Sequence, residues 1–276
     1  MAARRGGGSW ASHPGAKQPQ AILFLEAFGQ LTRHAETLSR DLGEGAMWSA
    51  FLARAEMMGW SMMFGRSSSP PQRAGLQEHR VLWRVHEAEL NTSAGSSRIG
   101  WAQVGLEVGI SPVTALPALI QCLDDAFRRF GMIELSGLQV TVSHLHSSNG
   151  SYLSNLVSWL GWFSASAGAG AEALVAMDDG LFRERSNSEL IESLHRMGNG
   201  SFNFGPMVTV HREHAIDVAV EAPLDVALSP ADRGVSVRLP EWSATSAAWV
   251  LAFVIETALV GRPGTRDLVV RLTRIR

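Results

Sequence analysis

The sequence predicts an α+β fold: a mixed sheet with helices, a helical N-terminal segment and two strand–helix–strand units. Three observations carry this expectation. Apolar residues near the N-terminus recur at spacings of three and four, as on one face of a helix. Later runs rich in Val, Ile and Leu alternate with polar residues, as in strands. Finally, the C-terminal stretch repeats an earlier one, which points to internal duplication.

Residues 1–19 are rich in Gly, Ser, Pro and Ala without periodicity and read as a disordered tail, leaving 20–276 as a single α+β domain. Phe24, Phe28, Leu31, Ala35, Leu38 and Leu42 mark a helix face that Gly43 would end. Met47, Phe51, Ala55, Met58 and Met62 keep the same spacing, although Met57–Phe64 also suits a short strand. Together with the ambiguous run His79–Leu90, they make 20–95 the helical N-terminal part.

The two related units fall around 102–142 and 234–276. Ala102–Ile110 alternates as a strand, Thr114 is placed to cap a helix running to Phe130, and Leu138–Val142 is the next strand. In the second copy Val235, Val237 and Leu239 alternate, Ser243 caps a helix through Val260, and Leu268–Leu272 closes. Gly105 aligns with Gly234, Leu106 with Val235, Thr114 with Ser243, Leu138 with Leu268 and Val140 with Val270. Between the copies, 155–163 and 172–177 read as strands and Ser188–Met197 as a helix. Met207–His211 and Ala215–Glu221 read as a hairpin.

Composition narrows the function classes. Twenty-four basic and 26 acidic side chains give a net charge of −2 without a basic cluster, which argues against nucleic acid as a partner. Cys122 is the single cysteine, so neither an intramolecular disulfide nor a thiolate metal cluster can form, in keeping with a cytoplasmic location. The most apolar segment, Ser243–Val260, is too short and too interrupted by Glu256 for a bilayer, so no membrane association is expected. Its lack of a polar stripe requires cover on every side, from its own domain or from a second subunit in a homo-oligomer.

Phosphate-binding glycine loops, nucleophile elbows and zinc signatures are all missing from the sequence. His144 and His146 would share a strand face and are the candidate catalytic pair, able to hold a metal with help from His211, Glu213, His214, Asp178 or Asp179. Under the internal alignment they match Arg274 and Arg276, which suggests an anion site if the two strand ends converge. Trp159 and Trp162 are candidate ligand-binding residues, and Met57, Met58, Met62 and Met63 add an adaptable apolar surface. The expectation is therefore a protein that binds a small molecule or a partner through an apolar cleft lined by aromatic and Met residues. Two alternatives stand beside it: an enzyme acting on a small anionic substrate through His144 and His146, and an adaptor or inhibitor working by protein–protein contact. Neither a cofactor nor a particular metal is indicated.

Overall fold

A computed structural model describes residues 21–38, 45–60, 83–91, 97–107, 110–143, 170–177, 186–198, 200–210, 232–259 and 267–275. In chain order the elements are β1 (Ala21–Arg33), α1 (Ala35–Leu38), α2 (Ala46–Met57), β2 (Trp83–Leu90), β3 (Arg98–Leu106), α3 (Pro112–Arg128) and β4 (Gly131–Ser143). They continue with β5 (Ala171–Met177), α4 (Asn187–Gly198), β6 (Asn203–Val210), β7 (Asp232–Leu239), α5 (Ala244–Leu259) and β8 (Leu268–Ile275). None of the described helices is long and apolar enough to cross a membrane.

The first correction concerns the N-terminal part, which is mixed rather than helical. Residues 21–33 form a strand, because Leu23, Leu25 and Ala27 turn into the core at period two. β1 lies between β3 and β4, so its other face is apolar as well, through Ile22, Phe24 and Phe28. A strand lined on both faces satisfies helical spacing by accident. The second helix expected there does form, as α2, and the ambiguous run before Leu90 is strand β2.

The eight strands make one sheet in the order β2-β3-β1-β4-β8-β5-β7-β6. Every described pairing is antiparallel, so the sheet is not mixed. The reason lies in the crossovers: β3 and β4 run parallel, as a strand–helix–strand unit requires, but β1 inserts between them. β7 and β8 are split by β5 in the same way. Each half thus reads β-α-β-β-α-β with split crossovers, the ferredoxin-like arrangement, and the second half mirrors the first across the sheet's centre.

That centre is the β4–β8 ladder, where Val140 pairs with Val270, the residue the sequence aligns with it. Leu138 pairs with Leu272 and Val142 with Leu268, two pairs that exchange under the same correspondence. In β3 and β7 the sequence alignment is displaced by one pleat. Val140 reaches Ala102 through Leu25, and Val270 reaches Arg233 through Met177, so Val235 corresponds to Val104 rather than to Leu106. A shift of two residues leaves the aligned side chains on the same face. The two edge strands each carry a bulge, between Val85 and Glu87 in β2 and between Phe204 and Met207 in β6. Exposed Glu87 and Glu89 on one edge and Pro206 on the other oppose strand addition.

The helices pack side by side in the order α2-α3-α5-α4, over one continuous core. Ser111, not Thr114, is the cap residue of α3; the Thr114 hydroxyl donates to the Ser111 carbonyl instead. Pro112 takes the first helical position, which suits its missing N–H, and Pro117 stands inside the helix rather than in its first turn. Ser243 does cap α5, its hydroxyl accepting from the Ser246 amide at 3.2 Å. From Val250 to Ala258 every residue of α5 is buried, with α3, α4, β4 and β8 of the same chain against it. Burial of this helix is therefore reached without a second subunit. The expected strand at 155–163, the second half of the 207–221 hairpin and the 1–19 tail lie outside the described residues. The partner observed for β6 is β7.

Candidate functional site

Period two sends alternate residues of the sheet away from the helices, and register fixes which of them become neighbours. One cross-sheet rung on that face runs through Glu89, Trp101, Glu26, Gln139, Arg271 and Ala176, from β2 across to β5. Its centre is a hydrogen-bonded chain. The Gln139 side-chain amide donates to Glu26 Oε2 at 2.7 Å, and Arg271 donates twice to Gln139 Oε1, from Nε at 2.9 Å and Nη2 at 2.6 Å. Arg98 on the adjoining rung donates to Glu26 Oε1 at 3.1 Å. The Arg271 guanidinium also lies over the Phe28 ring, 5.6 Å from its centroid.

Glu26 is 4 % exposed and Gln139 8 %, so this chain is held away from water. Both oxygens of the carboxylate accept from a donor, which is the condition for burying it. Beside it stand half-buried Phe24 and Trp101, their rings tilted at 31° with centroids 5.2 Å apart. The correspondence between halves maps Gln139 and Arg271 onto Val269 and Thr141, which pair with each other. The hydrogen bond between Gln139 and Arg271 therefore has no counterpart in the Thr141–Val269 pair.

This cluster was not among the candidates read from the sequence. Its one visible signal is a charged residue, Glu26, inside an apolar run whose neighbours all pack. Of the candidates that were, His144, His146, Trp159, Trp162 and Arg276 lie outside the described residues, as do His211, Glu213, His214, Asp178 and Asp179. Arg274 is described and exposed, at the end of β8. The antiparallel ladder puts it at the opposite end of the sheet from Ser143, the residue before His144. Gly137 pairs with Thr273, and from Gly137 to Ser143 β4 climbs about 20 Å at ~3.4 Å per residue. The two strand ends do not converge, because a twofold through an antiparallel pair sends equivalent ends apart.

Elsewhere, Asp125 pairs with Arg54 and Asp124 with Arg128, so neighbouring carboxylates on α3 point to different partners. Met57 is exposed, while Met47 belongs to the core. Cys122 is buried in α3, and burial pushes its thiol up to about 12, which removes it as a nucleophile near neutrality. Among the described residues no group of three His, Cys, Asp or Glu side chains is placed to hold a metal ion.

Fold and site together define a tandem split β-α-β protein with an aromatic and hydrogen-bonded patch on the sheet face away from its helices. Compared with protein families, curated proteins and solved structures, the chain matches none.

Proposed function

We propose that the chain is a binding protein, descended from a duplicated β-α-β-β-α-β unit, whose ligand is a flat apolar molecule seated against Phe24 and Trp101. The observation that carries this reading is that the Gln139–Arg271 hydrogen bond is replaced by Thr141 and Val269 at the equivalent pair. A duplicated framework would repeat a merely structural device in both halves, yet Gln139 and Arg271 face Thr141 and Val269 across the symmetry centre. The rung stiffens the strands on which Phe24 and Trp101 stand, and a ring pair at 5.2 Å presents a ready surface for a third ring. Pairing of equivalent residues at Val140 and Val270, together with a bulge in each edge strand, supports the duplication.

The test uses 8-anilinonaphthalene-1-sulfonate as a flat apolar probe on the folded full chain. Saturable fluorescence enhancement should fall at least about tenfold in affinity in Trp101→Ala and Phe24→Ala, the cost of one stacking contact of ~1.4 kcal/mol. Unchanged probe affinity in both variants would overturn the reading.

A further inference from the structure

The rung that carries Trp101 begins one strand further out, at Glu89, and the next rung sets Glu87 opposite Gln103. Ala88, between the two carboxylates, pairs with Ala102 and is buried with it in the core. Period two therefore sends Glu87 and Glu89 to the face that Phe24 and Trp101 share. Directly opposed residues of an antiparallel pair have Cβ atoms about 4.5–5.5 Å apart, and diagonal ones stay within reach of long and aromatic side chains. Glu89 is thus the cross-strand neighbour of Trp101 and Glu87 its diagonal neighbour, both on the side away from Glu26.

These two carboxylates stand uncompensated. Both are exposed, and among the described residues no hydrogen bond or ion pair reaches the side chain of either. The nearby guanidinium groups are held by other acids, Arg84 by Glu107 and Arg98 by Glu26. Arg271 lies on β8, with β1 and β4 between it and Trp101's strand, and donates to Gln139. His86 stands at the bulge between Val85 and Glu87. Burial and the Arg84 guanidinium hold it below its ordinary range, so it adds no charge near neutrality. Trp101 accordingly has two unpaired carboxylates on its β2 side and one, Glu26, already matched by Arg98 on its β1 side.

We propose that the flat ligand of the Phe24–Trp101 surface is a cation, an aromatic ring system bearing a positively charged nitrogen. The proposal rests on that surface being the ligand site, and adds the charge of its occupant. A cationic ring is favoured there twice. The indole face attracts positive charge, and Glu87 and Glu89 add Coulomb attraction beside half-buried rings, where screening is weaker than in open water. A neutral ring of the same size has the stacking alone, and an anionic one has stacking opposed by repulsion. The order of affinity is cation, neutral ring, anion.

The experiment titrates the full chain at low salt with three two-ring probes: N-methylquinolinium chloride, quinoline, which is uncharged at neutral pH, and sodium naphthalene-1-sulfonate. The readout is the indole N–H resonance of Trp101, assigned through Trp101→Phe. N-methylquinolinium should bind about tenfold more tightly than quinoline, and added sodium chloride should narrow the gap. Glu87→Gln combined with Glu89→Gln, two changes at exposed positions, should weaken the cation about tenfold and tighten the sulfonate, with quinoline unchanged. Damage to the fold would instead move all three probes the same way. Equal affinity for the cation and quinoline, or a preference undiminished in the double variant, would overturn the proposal and leave the ring surface standing. A Trp101 resonance that none of the three probes shifts would overturn the ring surface itself, and the proposal with it.

Discussion

Removing the Glu26 carboxylate should be among the most damaging single changes to this fold. In Glu26→Ala the Gln139 amide loses its acceptor and Arg98 loses its carboxylate partner, on strands β3, β1 and β4 at once. The Glu26 side chain is 5 % exposed and that of Arg98 19 %, so water does little to replace either bond. Breaking a buried ion pair from one side costs about 3–5 kcal/mol. The orphaned amide falls within the same range of effects rather than adding fully to it, since the groups act as one network. A domain of ordinary stability has only about 5–15 kcal/mol in total. Urea unfolding followed by both fluorescence and circular dichroism gives the loss, with coincidence of the two curves as the check on a single transition. A double-mutant cycle with Arg98→Met should return a coupling of about 1–3 kcal/mol. A loss below about 1 kcal/mol for Glu26→Ala would show that the rung is not held away from water as described.

Further expectations follow from single residues. Phe253→Ala should cost about 3–5 kcal/mol with a melting temperature independent of protein concentration, because α5 is covered by its own chain. The raised carboxyl of Glu256 holds protons in the folded state that the unfolded state has released. Stability should therefore fall as pH rises from the ordinary carboxylate range through the folded-state value, and Glu256→Gln should flatten that slope. Cys122 should resist a thiol reagent at pH 8 and react only as fast as the chain unfolds; prompt labelling of the native protein would contradict its burial. Gly29 sits at a bulge with φ of 144°, where an added Cβ would run into the Glu134 carbonyl, so Gly29→Ala should destabilise by about 1–3 kcal/mol in the same urea assay.

The strand–helix–strand passages were the most legible features because alternation, an apolar helical run and a glycine stop follow one another in each. Each half's last strand–helix–strand passage was readable, down to the Val140–Val270 match, which the ladder turns into a direct pair. What the sequence concealed was the opening of the first half. β1 is central and apolar on both faces, and such strands lose the alternation that distinguishes them from helices. The antiparallel character of the sheet was hidden for a related reason: a strand–helix–strand passage looks the same whether its strands are neighbours or hold a third between them. The polar rung could not be read at all, since Glu26, Arg98, Gln139 and Arg271 meet only once the register of three ladders is known. An alignment of equivalent strand ends is likewise silent on whether they lie together or apart, which the β4–β8 ladder decides for Ser143 and Arg274.

The pairing of β4 with β8 about Val140 and Val270 is the joint on which both halves and the polar rung depend. Disulfide trapping tests it most directly. Antiparallel partners have Cα atoms about 4.5–5.5 Å apart, within the reach of a disulfide. A chain carrying Thr141→Cys and Val269→Cys, with Cys122→Ala, should therefore oxidise to an intramolecular bond under mild conditions while folded. Thr141→Cys combined with Arg274→Cys should remain reduced. Trapping of the Arg274 pair in place of the Val269 pair would mean that the two halves meet in another register or direction, and would contradict the account.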